Sequence, residues 1–141
     1  MVDFAFIDSG TGGIPYLTHL IKNCPNASCV YVGDTVTVAG PYEKEGPLKK
    51  YFDKTFKDLY FGEDSWEKAE IKAIRDNLNL MVRKIGKKKE DVDLVIGGDL
   101  LNQISASTYG CCGYGEAFIG VYGACSSSVL EMIIASNFIE N

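Results

Sequence analysis

Near its C-terminal end the chain runs from an apolar stretch, Ala117 to Tyr122, through Gly123-Ala124-Cys125-Ser126-Ser127-Ser128 into a segment of different periodicity. In that segment Val129, Leu130, Ile133, Ile134 and Ile139 recur at roughly helical spacing. A strand that gives way to a helix across so short a turn belongs to a layered arrangement of strands and helices. The turn also places Cys125 at the start of a helix, where unpaired N–H groups and the helix dipole favour a thiolate. Two readings of Cys125 stand side by side: an activated nucleophile or anion-binding position, or a small buried cysteine packed at a tight junction.

The same alternation recurs upstream. Asp3 to Asp8 reads as a strand, followed by the glycine loop Ser9-Gly10-Thr11-Gly12-Gly13 and a helix opened by Pro15, with Leu17, Leu20 and Ile21 on its apolar face. Asn23-Cys24-Pro25-Asn26 stops that helix, and Cys29 to Val32 forms the next strand, the pattern of a parallel crossover. Val36 to Ala39 alternates weakly, as another strand or an extension of the previous one. Between Gly40 and Gly62 the pattern dissolves into proline, glycine, charge and aromatics, a long connection expected to carry short helices and to pack its rings on something.

The clearest helix spans Ser65 to Ile85. Asp64 and Glu67 have capping-box spacing, Trp66, Ala69, Ile74, Leu78, Met81 and Ile85 form a stripe expected to be buried, and Gly86 suits the C-terminal cap. Asp93 to Asp99 reads as a buried strand and Leu101 to Thr108 as a short helix. The composition Tyr109-Gly110-Cys111-Cys112-Gly113-Tyr114-Gly115 is expected to weaken that helix. The fold class expected is α/β: layered α-β-α with a mostly parallel sheet.

Charge and cysteine usage narrow the function classes. A net charge of −5 over 141 residues gives no nucleic-acid footprint, and the basic run Lys87-Lys88-Lys89 is followed at once by Glu90 and Asp91. No apolar stretch is long enough to span a bilayer, so membrane contact is expected to be peripheral at most. Met1-Val2-Asp3-Phe4 lacks the basic start of a signal peptide. The five cysteines, Cys24, Cys29, Cys111, Cys112 and Cys125, are odd in number and not spaced like zinc ligands, so reduced thiols and no metal are expected.

Two family resemblances divide the chain. Phe6-Ile7-Asp8-Ser9-Gly10-Thr11-Gly12-Gly13 with Tyr31-Val32-Gly33-Asp34-Thr35 resembles the opening of glutamate racemases, which implies substrate-contacting roles for Asp8 and Ser9. The two catalytic cysteine motifs of those racemases are missing, and Pro41-Tyr42 is followed by Glu43 where they have glycine. The only histidine, His19, reads as a surface residue. From about Val36 to Asn141 the chain resembles the stage V sporulation AD proteins, a thiolase-like family. The matching residues are Gly40-Pro41 with Glu45-Gly46-Pro47-Leu48, Tyr51-Phe52-Asp53, Gly62-Glu63-Asp64-Ser65-Trp66-Glu67-Lys68-Ala69-Glu70, Gly98-Asp99-Leu100-Leu101-Asn102-Gln103 and Gly123-Ala124-Cys125-Ser126.

The organisation implied is a racemase-like strand–helix–strand over 1–35 joined to a truncated, thiolase-like N-terminal half over 36–141. The second resemblance implies a spore protein of the dipicolinic acid uptake system, with dipicolinic acid or another small carboxylate as ligand, other uptake-system proteins as partners and no cofactor. It implies a cytoplasmic or peripheral spore inner-membrane location. Cys125 falls at the position of the thiolase nucleophile. Asp99, Asn102 and Ser126 join Asp8 and Ser9 as candidate ligand-binding residues. Thiolase chemistry draws activating groups from a C-terminal half, so binding rather than catalysis is expected. Glutamate racemisation and thioester-dependent acyl transfer are the alternatives.

Overall fold

A computed structural model describes residues 4–6, 22, 29–31, 35–115 and 117–139. Among the described residues six short strands pair two by two, always in parallel: β1 (Phe4–Phe6) with β2 (Cys29–Tyr31), β3 (Val38–Ala39) with β4 (Lys54–Thr55), and β5 (Leu94–Gly98) with β6 (Ala117–Val121). The α-helices described with them are α1 (Pro41–Glu45), α2 (Trp66–Lys84), α3 (Ser105–Cys111) and α4 (Ser127–Ile139). The fold is α/β. The parallel β1–β2 pair agrees with the crossover pattern of the first segment. The Gly40–Gly62 connection carries α1, a single 3-10 turn at Lys49–Tyr51 and strand β4.

The β5–β6 pair is the middle of three layers. Successive residues of a strand point to opposite faces. A side chain at Gly97 would meet Cys111 Sγ at 3.4 Å and Ser107 Cβ at 3.6 Å, both on α3, whereas one at Gly98 would meet Glu131 Oε1 of α4 at 3.0 Å. Thus α3 covers one face and α4 the other. On the α3 face Val95, Cys111 and Tyr114 form a buried cluster, and Ile74, Leu78 and Val82 of α2 close it together with Val92 and Phe118.

Helix α2 begins one residue later than the capping-box spacing implies. Ser65 is the cap, its hydroxyl accepting from Lys68 N–H at 3.3 Å, while Asp64 ion-pairs with Lys68 at 2.8 Å. Its far end is as expected: Gly86, at φ +69°, donates to Arg83 O (3.1 Å) and Lys87 donates to Val82 O (2.8 Å). These two bonds are a Schellman closure, in which glycine tolerates the left-handed turn. Of the apolar stripe Ala69 is buried and Ile74, Leu78 and Met81 are half-buried. Trp66 is 55% exposed and stacked on Tyr60 with ring centroids 4.3 Å apart, which corrects its expected burial. Both ends of the stripe lie outside the packed cluster, and Ile85 is exposed as well.

The weakened helix before β6 also differs from expectation. It starts later, at Ser105, and runs on through Tyr109, Gly110 and Cys111. Gly110 sits inside it for a packing reason: a Cβ there would lie 2.6 Å from Ile74 Cγ2. Glycine lets α3 and α2 approach more closely than any other residue would, and this outweighs its poor helix propensity of about 1 kcal/mol.

Candidate functional site at the strand ends

Gly98 and Val121 are partners in register, so β5 and β6 end side by side and release their following turns from the same edge. Ligand sites in parallel α/β sheets favour this edge. The turn after β5 carries Asp99 and Asn102; the turn after β6 carries Cys125 and Ser126. The structure therefore brings four of the sequence-derived site residues to one edge. Asp8 and Ser9 lie outside the described residues.

Asp99 is 5% exposed and spans two elements. Its Oδ2 accepts from Ala106 N–H (3.0 Å) and its Oδ1 from Ser107 N–H (2.8 Å), with the Ser107 hydroxyl also donating to Oδ1. The residue at the N-cap of α3 is Ile104, left-handed at φ 45° and without a side-chain acceptor. Asp99 takes over from outside the helix the two N–H groups that a capping side chain satisfies. Both of its oxygens are thus engaged in fixing α3.

The second turn is held just as closely. Gly123 N–H donates to Ser127 Oγ at 3.1 Å, and Ser127 Oγ donates to Ala124 O at 2.9 Å and reaches Asp99 O at 3.4 Å. Ser126 Oγ donates to Gly123 O at 2.6 Å. Ala124 sits at φ 48°, a left-handed conformation that costs an alanine roughly 1–2 kcal/mol. Such strain persists only where surrounding bonds over-determine it, and it recurs at functional turns. Its consequence here is that Cys125 is exposed, in a single 3-10 turn just ahead of α4. The buried-cysteine reading does not hold for Cys125. It holds for Cys111, which lies in the core with its thiol pushed up to about 11 by burial, then by Asp99 and Glu131.

Ser126 and Asn102 are both exposed. Glu131, which sequence reasoning missed, is half-buried on α4 beside Gly98. Burial raises its carboxyl above the usual range, the Gly98 N–H bond works against that shift, and the Asp99 charge adds to it. Ser127 was missed too. Its signal lies in the chain: one serine of the Ser126-Ser127-Ser128 run falls where a turn needs a hydroxyl to close it. Among the described residues, no group of three or more His, Cys, Asp and Glu side chains is arranged to hold a metal, and no helix is long and apolar enough to cross a membrane.

Comparison with known proteins adds two findings. The family model for stage V sporulation protein AD matches residues 24–141. The stage V sporulation protein AD of Bacillus subtilis (strain 168) is 37% identical over 111 residues, which is 79% of this chain and 33% of that protein. The chain thus spans about a third of the length of the curated relative it matches. The family match opens ahead of Val36 and takes in β2.

Proposed function

The chain belongs to the stage V sporulation protein AD family, and on that footing we propose that it serves spore formation as a thiolase-like, non-catalytic binder of dipicolinic acid or a similar small carboxylate. In this reading it works with other proteins of the dipicolinate-uptake system, with any membrane contact peripheral. The observation that carries it is the division of labour at the strand ends. The groups that could activate a thiol there are committed to structure: Asp99 to the start of α3, Ser126 and Ser127 to the backbone of their own turn. Nucleophilic catalysis needs a base and oxyanion donors free to act on the reacting atoms. What the edge offers a ligand is an exposed thiol, the Asn102 amide and a rigid backbone, a set suited to holding a small polar molecule.

Isothermal titration of the chain with dipicolinate tests the proposal. Saturable binding is expected, weakened at least tenfold by Asn102→Ala or Cys125→Ser with thermal stability unchanged. No binding by a folded chain, or binding indifferent to both changes, overturns it. One observation favours a second reading: an exposed cysteine on a strained turn is also how a nucleophile is presented. Acyl transfer through Cys125 predicts a stable mass increase on that residue after exposure to acyl-CoA. Its absence in a folded chain removes the reading.

A further inference from the structure

Away from the strand ends, α2 carries Lys68, Lys72, Arg75 and Asn79 at intervals of four, three and four residues, which puts them on one helical face. They line a groove of about 520 Å³ whose other wall includes Tyr109, itself 62% exposed. The positive face is unexpected on a chain of net charge −5. We propose that this groove is a docking site for an extended acidic segment of a partner protein. The inference goes beyond the strand-end reading and does not depend on it.

Three observations carry it. The first is charge. Asp76, one of the two acids in the groove, is held by Lys54 at 2.7 Å from the side. The other, Glu63, meets Lys72 at 3.1 Å. Among the described residues no acid is paired with Arg75, whose one placed bond is to Tyr109 O at 3.0 Å. Lys68 is paired with Asp64, and both side chains of that pair are mostly in solvent. Exposed pairs of this kind are held weakly, so an incoming carboxylate exchanges with them readily. The second observation is length. Lys68 to Arg75 covers roughly 10 Å of helix axis, about the reach of three extended residues. A single small anion would meet at most two of the three cations; a chain of carboxylates meets all of them. The third is the character of the walls. Tyr109 and Ile71 offer apolar surface between the cations, which suits the stem of a Glu or Asp-bearing peptide.

The test uses a fluorescein-labelled hexaglutamate peptide as probe, with hexaglutamine of the same length as control, read by fluorescence anisotropy on the intact chain. Expected results are saturable binding of hexaglutamate alone, weakening with added salt, and a loss of at least tenfold in Lys72→Glu/Arg75→Glu. Lys49→Glu/Lys50→Glu makes the same charge change on the exposed Lys49–Tyr51 turn and should leave most of the binding. Lys68→Glu, at an exposed position, supplies a second groove variant if the double variant melts early. Four outcomes overturn the proposal: no binding, binding retained in every groove variant, equal loss in the Lys49/Lys50 control, or displacement of the peptide by inorganic phosphate at concentrations matching the peptide's own.

Discussion

Replacing Asp99 with alanine removes the group that ties the end of β5 to the start of α3. In the native chain its carboxylate accepts the N–H groups of Ala106 and Ser107 and the Ser107 hydroxyl, all in a buried setting. Losing a helix-capping acceptor costs about 1–2 kcal/mol. Leaving buried donors without a partner costs about 1–3 kcal/mol more, and the two overlap because the same N–H groups are counted in both. A net loss of about 2–4 kcal/mol is expected for Asp99→Ala. In a chain of this size that is a fall of roughly 6–12 °C in Tm. Asp99→Asn keeps one acceptor and should lose about half as much. The measurement is thermal unfolding followed by circular dichroism at neutral pH, checked by urea titration. A second readout separates this role from general damage. Asp99 is one of the groups that push up the Cys111 thiol, so in folded Asp99→Ala its pKa should fall below about 11, while burial, the larger cause, keeps it above the ordinary thiol range. If Asp99→Ala melts within about 1 kcal/mol of the native chain, the reasoning fails, and the start of α3 is held by something other than this carboxylate.

Gly110→Ala should destabilise by about 1–3 kcal/mol, because its Cβ would strike Ile74 and overpacking outweighs the gain in helix propensity; Ile74→Ala in the same chain should recover part of the loss in a double-mutant cycle. Cys111 should be alkylated far more slowly than the exposed Cys112 and Cys125 by limiting iodoacetamide near pH 8, as read by peptide mapping, and equal labelling would contradict its burial. Glu131 has a folded-state carboxyl raised above its unfolded value, so the folded chain binds that proton more tightly and gains stability from it as pH falls from neutral toward the ordinary carboxylate range. Glu131→Gln should accordingly melt higher than the native chain at pH 7, with the difference closing on acidification; a difference that widens would refute the assignment. Trp66→Ala, at a half-exposed stacked ring, should cost about 1 kcal/mol or less in the same melts.

What the sequence determined by itself is local. The alternation of apolar runs with helical spacing placed β2, β5, β6, α2 and α4 close to where they stand, because periodicity is written residue by residue. Gly86 marked the end of α2, since only glycine enters the left-handed turn there without strain. The turn that presents Cys125 was likewise readable from its position between strand and helix. Tertiary structure decided the rest. α4 is apolar on more than one side, so spacing alone does not say that Val129 and Ile133 face outward while Leu130 and Ile134 turn inward. Trp66 belongs to an apolar stripe but stands outside the packed cluster, stacked on Tyr60. Gly110 counts against a helix until Ile74 is placed beside it. Asp99 looks like a residue waiting for a ligand, and becomes the cap of α3 once Ala106 and Ser107 fold back on it. In each case the deciding contact joins residues that local pattern does not pair, and which partner fills a face, a gap or a hydrogen bond is settled only when the layers pack.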